Sequence, residues 1–287
     1  MRLAIVAAAL AAALSFVAPA HAAGPIRIVA AENFYAEVAS AVGGSHVAVT
    51  AILSNPDEDP HLFETSPTTA RDIADADIVI YNGADYDPWM EKLLSASPKA
   101  DRTAIIAATV THHKSGDNPH LWYEPATLPM VADFLAVELE KRDPANAADY
   151  EANVTKFDTS TQPIADKVVA IRQAHPGIVV IATEPVFGYM ADALGFKMLN
   201  GDFQLAMMND TEPSPKQVAD FEQSLKSKTA KILFYNSQVT DDTTTRLKAL
   251  AEANGVKVIG VTETEPAGKT IPDWFLGQLA EIEDALK

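Results

Sequence analysis

The sequence predicts an α/β protein of two lobes, each a four-stranded, mainly parallel sheet flanked by helices, bridged by one long rigid helix. Three observations predict it. Short apolar runs rich in β-branched residues alternate with longer amphipathic runs, as strands covered by crossover helices do. That alternation occurs twice, once on each side of the middle of the chain. Between the two sets, residues 145–174 contain no glycine and repeat apolar side chains at helical spacing.

In the first set, residues 26–31, 46–52, 77–81 and 103–107 read as strands, and residues 33–42, 68–74 and 88–95 as helices. Asn33 and Asp87 are expected N-caps, and Gly43-Gly44 is the expected stop of the first helix. In the second set, strands are expected at 178–183, 196–199, 231–235 and 256–261. Helices separate them at 187–194, 215–226 and 240–254, and a last helix covers 272–286. In the connecting stretch, Tyr150, Val154, Phe157, Ile164, Val168 and Ile171 recur at spacings near three, four and seven, which predicts a stiff amphipathic rod. Pro163 interrupts it: proline lacks the N–H and crowds the carbonyl four residues back, at ~3 kcal/mol in an unadapted helix. The two outcomes are one kinked helix or two shorter helices meeting at Pro163. The expected organisation is a signal peptide at 1–23, an N-terminal lobe at 24–143, the linking helix at 144–175 and a C-terminal lobe at 176–287.

Met1-Arg2, the apolar run 3–17 and the small-x-small sites Ala18-Pro19-Ala20 and Ala20-His21-Ala22 predict a cleaved secretory signal. A membrane anchor is the alternative, but the run is shorter than the ~20 residues that span a bilayer. The expectation is an exported protein of the periplasm without a lipid anchor. With 287 residues, 48% hydrophobic and 21% charged, the chain is globular in composition, which excludes a disordered or collagen-like protein. Lys and Arg total 22 against 39 Asp and Glu, a formal charge of −17, so no nucleic-acid partner is expected. Cysteine is absent, which excludes thiolate catalysis and cysteine-ligated metals and leaves any metal to histidines and carboxylates.

Beyond the leader, no nucleophile elbow, phosphate-binding glycine loop, dinucleotide fingerprint or His-Glu-x-x-His pair occurs. Metal-ligand residue types do occur just after strands, where open α/β sheets place ligands. His61 ends Asp59-Pro60-His61 after the second strand, and His120 lies in Asn118-Pro119-His120-Leu121-Trp122 after the fourth. Alone, either is an ordinary loop histidine; the same proline-histidine construction twice in one unit points to a shared role. Glu184 follows the apolar strand 178–183 and reads either as a ligand or as a helix cap favoured by the macrodipole. Glu263 ends the last strand of the second unit, and Glu265, two residues on, shares its side if the strand continues. Either acid fits. Two neutral imidazoles and two carboxylates suit a divalent ion, with zinc, manganese and iron(II) all compatible.

At these residues the sequence resembles the periplasmic solute-binding components of zinc and manganese ABC importers, the cluster A-I metal-binding proteins. The resemblance runs through Asp59-Pro60-His61, Tyr81-Asn82-Gly83, Tyr86-Asp87-Pro88-Trp89-Met90, Asn118-Pro119-His120-Leu121-Trp122, Glu184-Pro185-Val186-Phe187-Gly188-Tyr189, Glu212-Pro213-Ser214 and Val261-Thr262-Glu263. It covers essentially the whole chain after the leader. It implies one zinc or manganese ion bound between two lobes, no enzymatic activity, and delivery by a monomeric carrier to a membrane permease driven by a cytoplasmic ATPase. The family's ligand positions fall on His61, His120, Glu184 and Glu263. The third is histidine in many zinc-specific members and glutamate in many manganese-specific ones. The histidine-rich loop of many zinc-specific members is missing; His112-His113 is either a remnant collecting site or merely exposed. The alternative reading is a secreted metal-dependent hydrolase, with Glu184 or Glu265 as general base. A cell-surface adhesin would need an anchor.

Overall fold

The computed structural model describes residues 24–55, 63, 65–239 and 241–287. The expected signal segment and His61 lie outside the described residues.

In the N-terminal lobe, β1 (Ile26–Glu32), β2 (Val47–Leu53), β3 (Ile78–Tyr81) and β4 (Thr103–Ile106) alternate with α1 (Asn33–Gly43), α2 (Pro67–Asp75), α3 (Pro88–Ala96) and the single turn α4 (Ala107–Val110). All pair in parallel, in the order β2-β1-β3-β4, with Ile28 opposite Val49 on one side and Ile78 on the other. The C-terminal lobe repeats the plan with β5 (Val179–Ala182), β6 (Lys197–Leu199), β7 (Ile232–Asn236) and β8 (Lys257–Val261), in the parallel order β6-β5-β7-β8. Its helices are α7 (Gly188–Ala193), α8 (Gly201–Met208), α9 (Pro215–Lys226), α10 (Asp242–Ala253) and α11 (Ile271–Leu286). In each sheet the strand order reverses beside the first strand, and the crevice beyond the carboxyl ends there is where such sheets place ligands.

After β4 come α5 (Thr127–Arg142) and then α6 (Ala147–Ala174), the long helix that connects the lobes. Helix α6 is one element of 28 residues, about 42 Å at 1.5 Å per residue. Pro163 sits inside it on the exposed side, so the carbonyl it deprives of a partner faces water. Tyr150, Phe157, Ile164, Val168 and Ile171 are buried as the spacing predicts, with Val154 partly buried. Helix α5, like α8 and the single turn α4, is additional to the sequence expectation. It buries Leu128, Val131, Ala132, Leu135, Ala136 and Leu139 at helical spacing and carries Lys141 and Arg142 in its last turn, where the dipole favours cations.

The expected N-cap of α1 is corrected. Glu32 occupies the cap position, while the Asn33 amide bonds to the backbone of Glu265 in the other lobe, donating to its carbonyl (2.7 Å) and accepting from its N–H (3.0 Å). Asp87 holds the cap position of α3 without capping it; its carboxylate instead accepts from the backbone N–H groups of Asn82 (2.6 Å) and Gly83 (2.8 Å). Gly44 ends α1 at φ 55, as expected of a glycine stop.

One hydrophobic core crosses both lobes, with Phe34 against Trp122 (centroids 4.9 Å apart) and Tyr123 between Phe187 (5.0 Å) and Trp274 (5.7 Å). Separating the lobes would expose these rings, so the interlobe junction resists wide hinge motion. Among the described residues no helix is long and apolar enough to cross a membrane.

Candidate metal centre

The loop after α4 carries His120, which is fully buried. Its orientation follows from Asn118. The Asn118 amide donates to the Pro185 carbonyl (2.8 Å), which turns its Oδ1 towards His120; that oxygen therefore accepts from His120 Nδ1–H (2.7 Å) and from the His120 backbone N–H (3.2 Å). With the proton held on Nδ1, the Nε2 lone pair is turned towards Glu263, the tautomer that metal-binding histidines adopt. The loop itself is fixed by Asn82, at the end of β3, which donates to the Pro119 carbonyl (2.7 Å) and accepts from the Tyr35 hydroxyl (2.9 Å).

Facing it across the lobes is Glu263, also fully buried, with a carboxylate oxygen 3.6 Å from His120 Nε2. The Tyr86 hydroxyl donates to the same oxygen (3.1 Å), and the Asn236 amide, at the end of β7, donates to the other (2.7 Å). Burial first, and then the charge of Glu263, push the Tyr86 phenol well above its usual pKa, so it stays a donor. The Gln238 side chain accepts from the backbone N–H groups of Glu263 and, at 3.2 Å, Thr264. Tyr123 of the N-terminal lobe donates to the Thr262 carbonyl (2.9 Å). Neutral donors thus support a carboxylate whose charge is left for a cation.

Glu184 is buried at the end of β5, and its side chain does not cap the turn that follows at Pro185–Phe187, which answers the cap reading of this residue. It is tied to the His120 loop through its neighbour Pro185, the acceptor of Asn118. Close approach there depends on Gly188, where a Cβ would come within 2.7 Å of the Asn118 amide nitrogen. Because β5, β7 and β8 are neighbours in one parallel sheet, Glu184, Asn236 and Glu263 all lie at its carboxyl edge. His120 and Glu263 are the two expected ligands found face to face; among the described residues no three His, Asp or Glu side chains form a complete cage.

Glu265 goes elsewhere. The strand stops at Val261, so alternation does not carry both acids to one side. The Glu265 carboxyl meets Glu37 of α1, and burial followed by that neighbour pushes its pKa up to about 8. His112 is exposed at φ 64. His113 bonds Glu124 through Nε2 (3.0 Å) and faces Asp117 with Nδ1 (3.5 Å), so its two nitrogens address different carboxylates.

Sequence reasoning assigned no role to Asn118, Tyr86, Asn236 or Gln238. Tyr86 and Asn118 stand inside the recognised motifs, but nothing local marks Asn236 or Gln238, which act on a loop about 25 residues away. A second carboxyl pair was also missed. Glu32 lies near Asp87; burial raises both, Glu32 well above its usual range with the Asp87 charge adding to it, and Asp87 up to about 7.

Residues 28–285 match the family model of the zinc-uptake complex component A, periplasmic. The manganese-binding lipoprotein MntA of Bacillus subtilis is 25% identical over 251 residues, covering 83% of this chain and 78% of its own. The iron-binding protein YfeA of Yersinia pestis is 23% identical over 234 residues, covering 78% and 73%. In structure, the chain is similar to the periplasmic zinc-binding protein TroA of Treponema pallidum, with a TM-score of 0.75 and 17% identity over 92% of this chain and 98% of that one. With a family match spanning nearly all of its described length, a two-lobe fold shared with such proteins, and a buried imidazole facing a carboxylate between the lobes, the chain belongs to the zinc-uptake component A family, metal-binding transport components of ABC importers and not enzymes.

Proposed function

We propose that this chain is the periplasmic carrier of one divalent transition metal ion, zinc or manganese, held by His61, His120, Glu184 and Glu263. The observation that carries the reading is the pair His120 Nε2 and Glu263, 3.6 Å apart, both without solvent exposure and supplied by different lobes. A buried imidazole with its proton fixed on Nδ1, beside a carboxylate held by neutral donors, is the donor set of a cation site. Two carboxylates and two imidazoles match the charge of a divalent ion. Glu184 in place of a third imidazole raises the oxygen content and favours a harder ion, against the higher intrinsic affinity of zinc at almost any such site. The relatives named above are called manganese-, iron- and zinc-binding proteins, so the shared fold leaves the ion to the ligands.

The domain division proposed is a leader at 1–23, lobes at 24–143 and 176–287, and the linking helix at 144–175. The leader pattern supports release into the periplasm; MntA is named as a lipoprotein, whereas this sequence has no cysteine. Both lobes contribute to the site within one chain, which supports a monomer, and the charge of −17 disfavours nucleic acid.

The test is metal analysis of the protein exported to the periplasm, followed by competitive titration with zinc and manganese. One equivalent of manganese retained at physiological zinc supply establishes a manganese carrier. One equivalent of zinc held far more tightly establishes a zinc carrier, and protein that retains neither ion refutes the reading.

A further inference from the structure

The turn after β3 holds three successive residues, Gly83, Ala84 and Asp85, in the left-handed region, at φ 73, 51 and 67. For Ala84 and Asp85 that conformation costs free energy, and such strain persists only where neighbours over-determine it. Here the Asp87 carboxylate accepts from the Asn82 and Gly83 N–H groups, and the Asp85 carboxylate accepts from the Ser115 hydroxyl (2.5 Å) and the Gly116 N–H (3.0 Å). What the turn delivers is Tyr86. That residue is 1% exposed, its ring lies edge-on to Trp122 (centroids 4.8 Å apart) and His120 (5.9 Å), and its hydroxyl donates to Glu263 of the other lobe (3.1 Å).

The two oxygens of Glu263 are thereby divided between the lobes. Oε1 accepts from Asn236 of its own lobe (2.7 Å), whereas Oε2, which accepts from Tyr86, is the oxygen 3.6 Å from His120 Nε2. An ion beside His120 meets Oε2 first, and chelation by both oxygens requires the carboxylate to turn against both bonds. The spacing of imidazole and carboxylate points the same way. Ligand atoms about 2.1 Å from one ion lie about 3.4 Å apart in a tetrahedron and about 3.0 Å apart at the right angle of an octahedron.

We propose that Tyr86 is a specificity-determining residue: by holding Glu263 to one ligating oxygen, it favours the four-coordinate zinc ion over manganese, which takes an octahedral, oxygen-rich shell. The inference rests on the proposed ligand set and deepens it.

Tyr86→Phe removes the hydroxyl and keeps the ring against Trp122 and His120. Zinc outranks manganese at almost any such site, so the informative quantity is the change in their affinity ratio. Competitive titrations of the full chain should show zinc weakened about 10–100-fold in the variant, the range for groups that orient a ligand. Manganese should lose less than about threefold, because chelation by the released carboxylate offsets the lost positioning. Cobalt(II) reports coordination independently of affinity, since it absorbs visible light strongly in a tetrahedral field and weakly in an octahedral one. The intense band is expected in the wild-type protein, where it tests the geometry without any variant, and a weaker band in Tyr86→Phe. A zinc-to-manganese ratio unchanged by the variant, or a weak cobalt band in the wild-type protein, would overturn the role of Tyr86 while leaving the carrier reading intact. Wild-type protein that binds none of the three ions would overturn both.

Discussion

At His120, one side chain decides how the imidazole is presented. Asn118 accepts from Nδ1 and is itself fixed by donating to Pro185, so a single amide sets the tautomer in one lobe while bonding the other. Asn118→Ala should weaken metal binding about 10–100-fold, the range for groups that orient a ligand, and also lower the unfolding midpoint, because the Pro185 carbonyl and the His120 N–H groups lose their partner. His120→Ala and His61→Ala should each cost more, since they remove a proposed ligand outright. Competitive titration against a chromogenic chelator reads all three, and unaltered curves for both histidine variants would refute the ligand assignment. The histidine was legible in the sequence because proline and asparagine precede it in a recognisable motif. Its orientation was not, because Pro185 lies 67 residues away from Asn118.

Elements contribute by bringing loops within reach of one another. The start of α1 shows this: Asn33 leaves the N-cap position to Glu32 and clasps the backbone of Glu265, 232 residues away. Asn33→Ala leaves a partly buried carbonyl and N–H without these bonds, at about 1–3 kcal/mol. We expect a lower urea midpoint and faster hydrogen exchange at the Glu265 amide; unchanged exchange there would contradict the clasp. At the start of α7, Gly188→Ala places a methyl group within 2.7 Å of the Asn118 amide nitrogen. That variant should reproduce the metal-binding loss of Asn118→Ala, and the two losses should not add when combined, because they act on one contact. Helices α1, α6, α9, α10 and α11 were legible from periodicity and punctuation, whereas α5 was not assigned although its buried stripe is regular. Glu263 and Glu265 could not be separated from sequence, because their sides depend on where β8 stops.

For the molecule as a whole, buried acids link stability to pH. Asp87 titrates in the fold at about 7 and Glu265 at about 8, both displaced upwards mainly by burial, against ordinary values of 3.8 and 4.5. The native state therefore keeps protons that the unfolded chain releases between about pH 4 and pH 8. Stability falls as pH rises through that window, by up to about 1.4 kcal/mol per pH unit for each proton retained. Urea midpoints of the metal-free protein should decrease from pH 5 to pH 8. Glu32→Gln removes one acid whose pKa burial holds high, so it should flatten the slope, and an unchanged slope would contradict that shift. Metal affinity has the opposite dependence, failing as pH drops towards 5, because histidine ligands must be deprotonated to bind.

The sequence by itself determined the two parallel four-stranded sheets, the connecting helix and the residue types at the sheet ends, because strand and helix periods and proline-glycine punctuation are local. The position of His120 and Glu263 after their strands follows from the same local order. Only the tertiary structure decided that these two side chains meet, that Glu265 turns to Glu37 instead, and that Asn118, Tyr86 and Asn236 hold the pair. The reason is physical. The contacts join loops from different lobes, fixed by where each strand stops and by a core shared across the junction, and neither is encoded in any short stretch of chain.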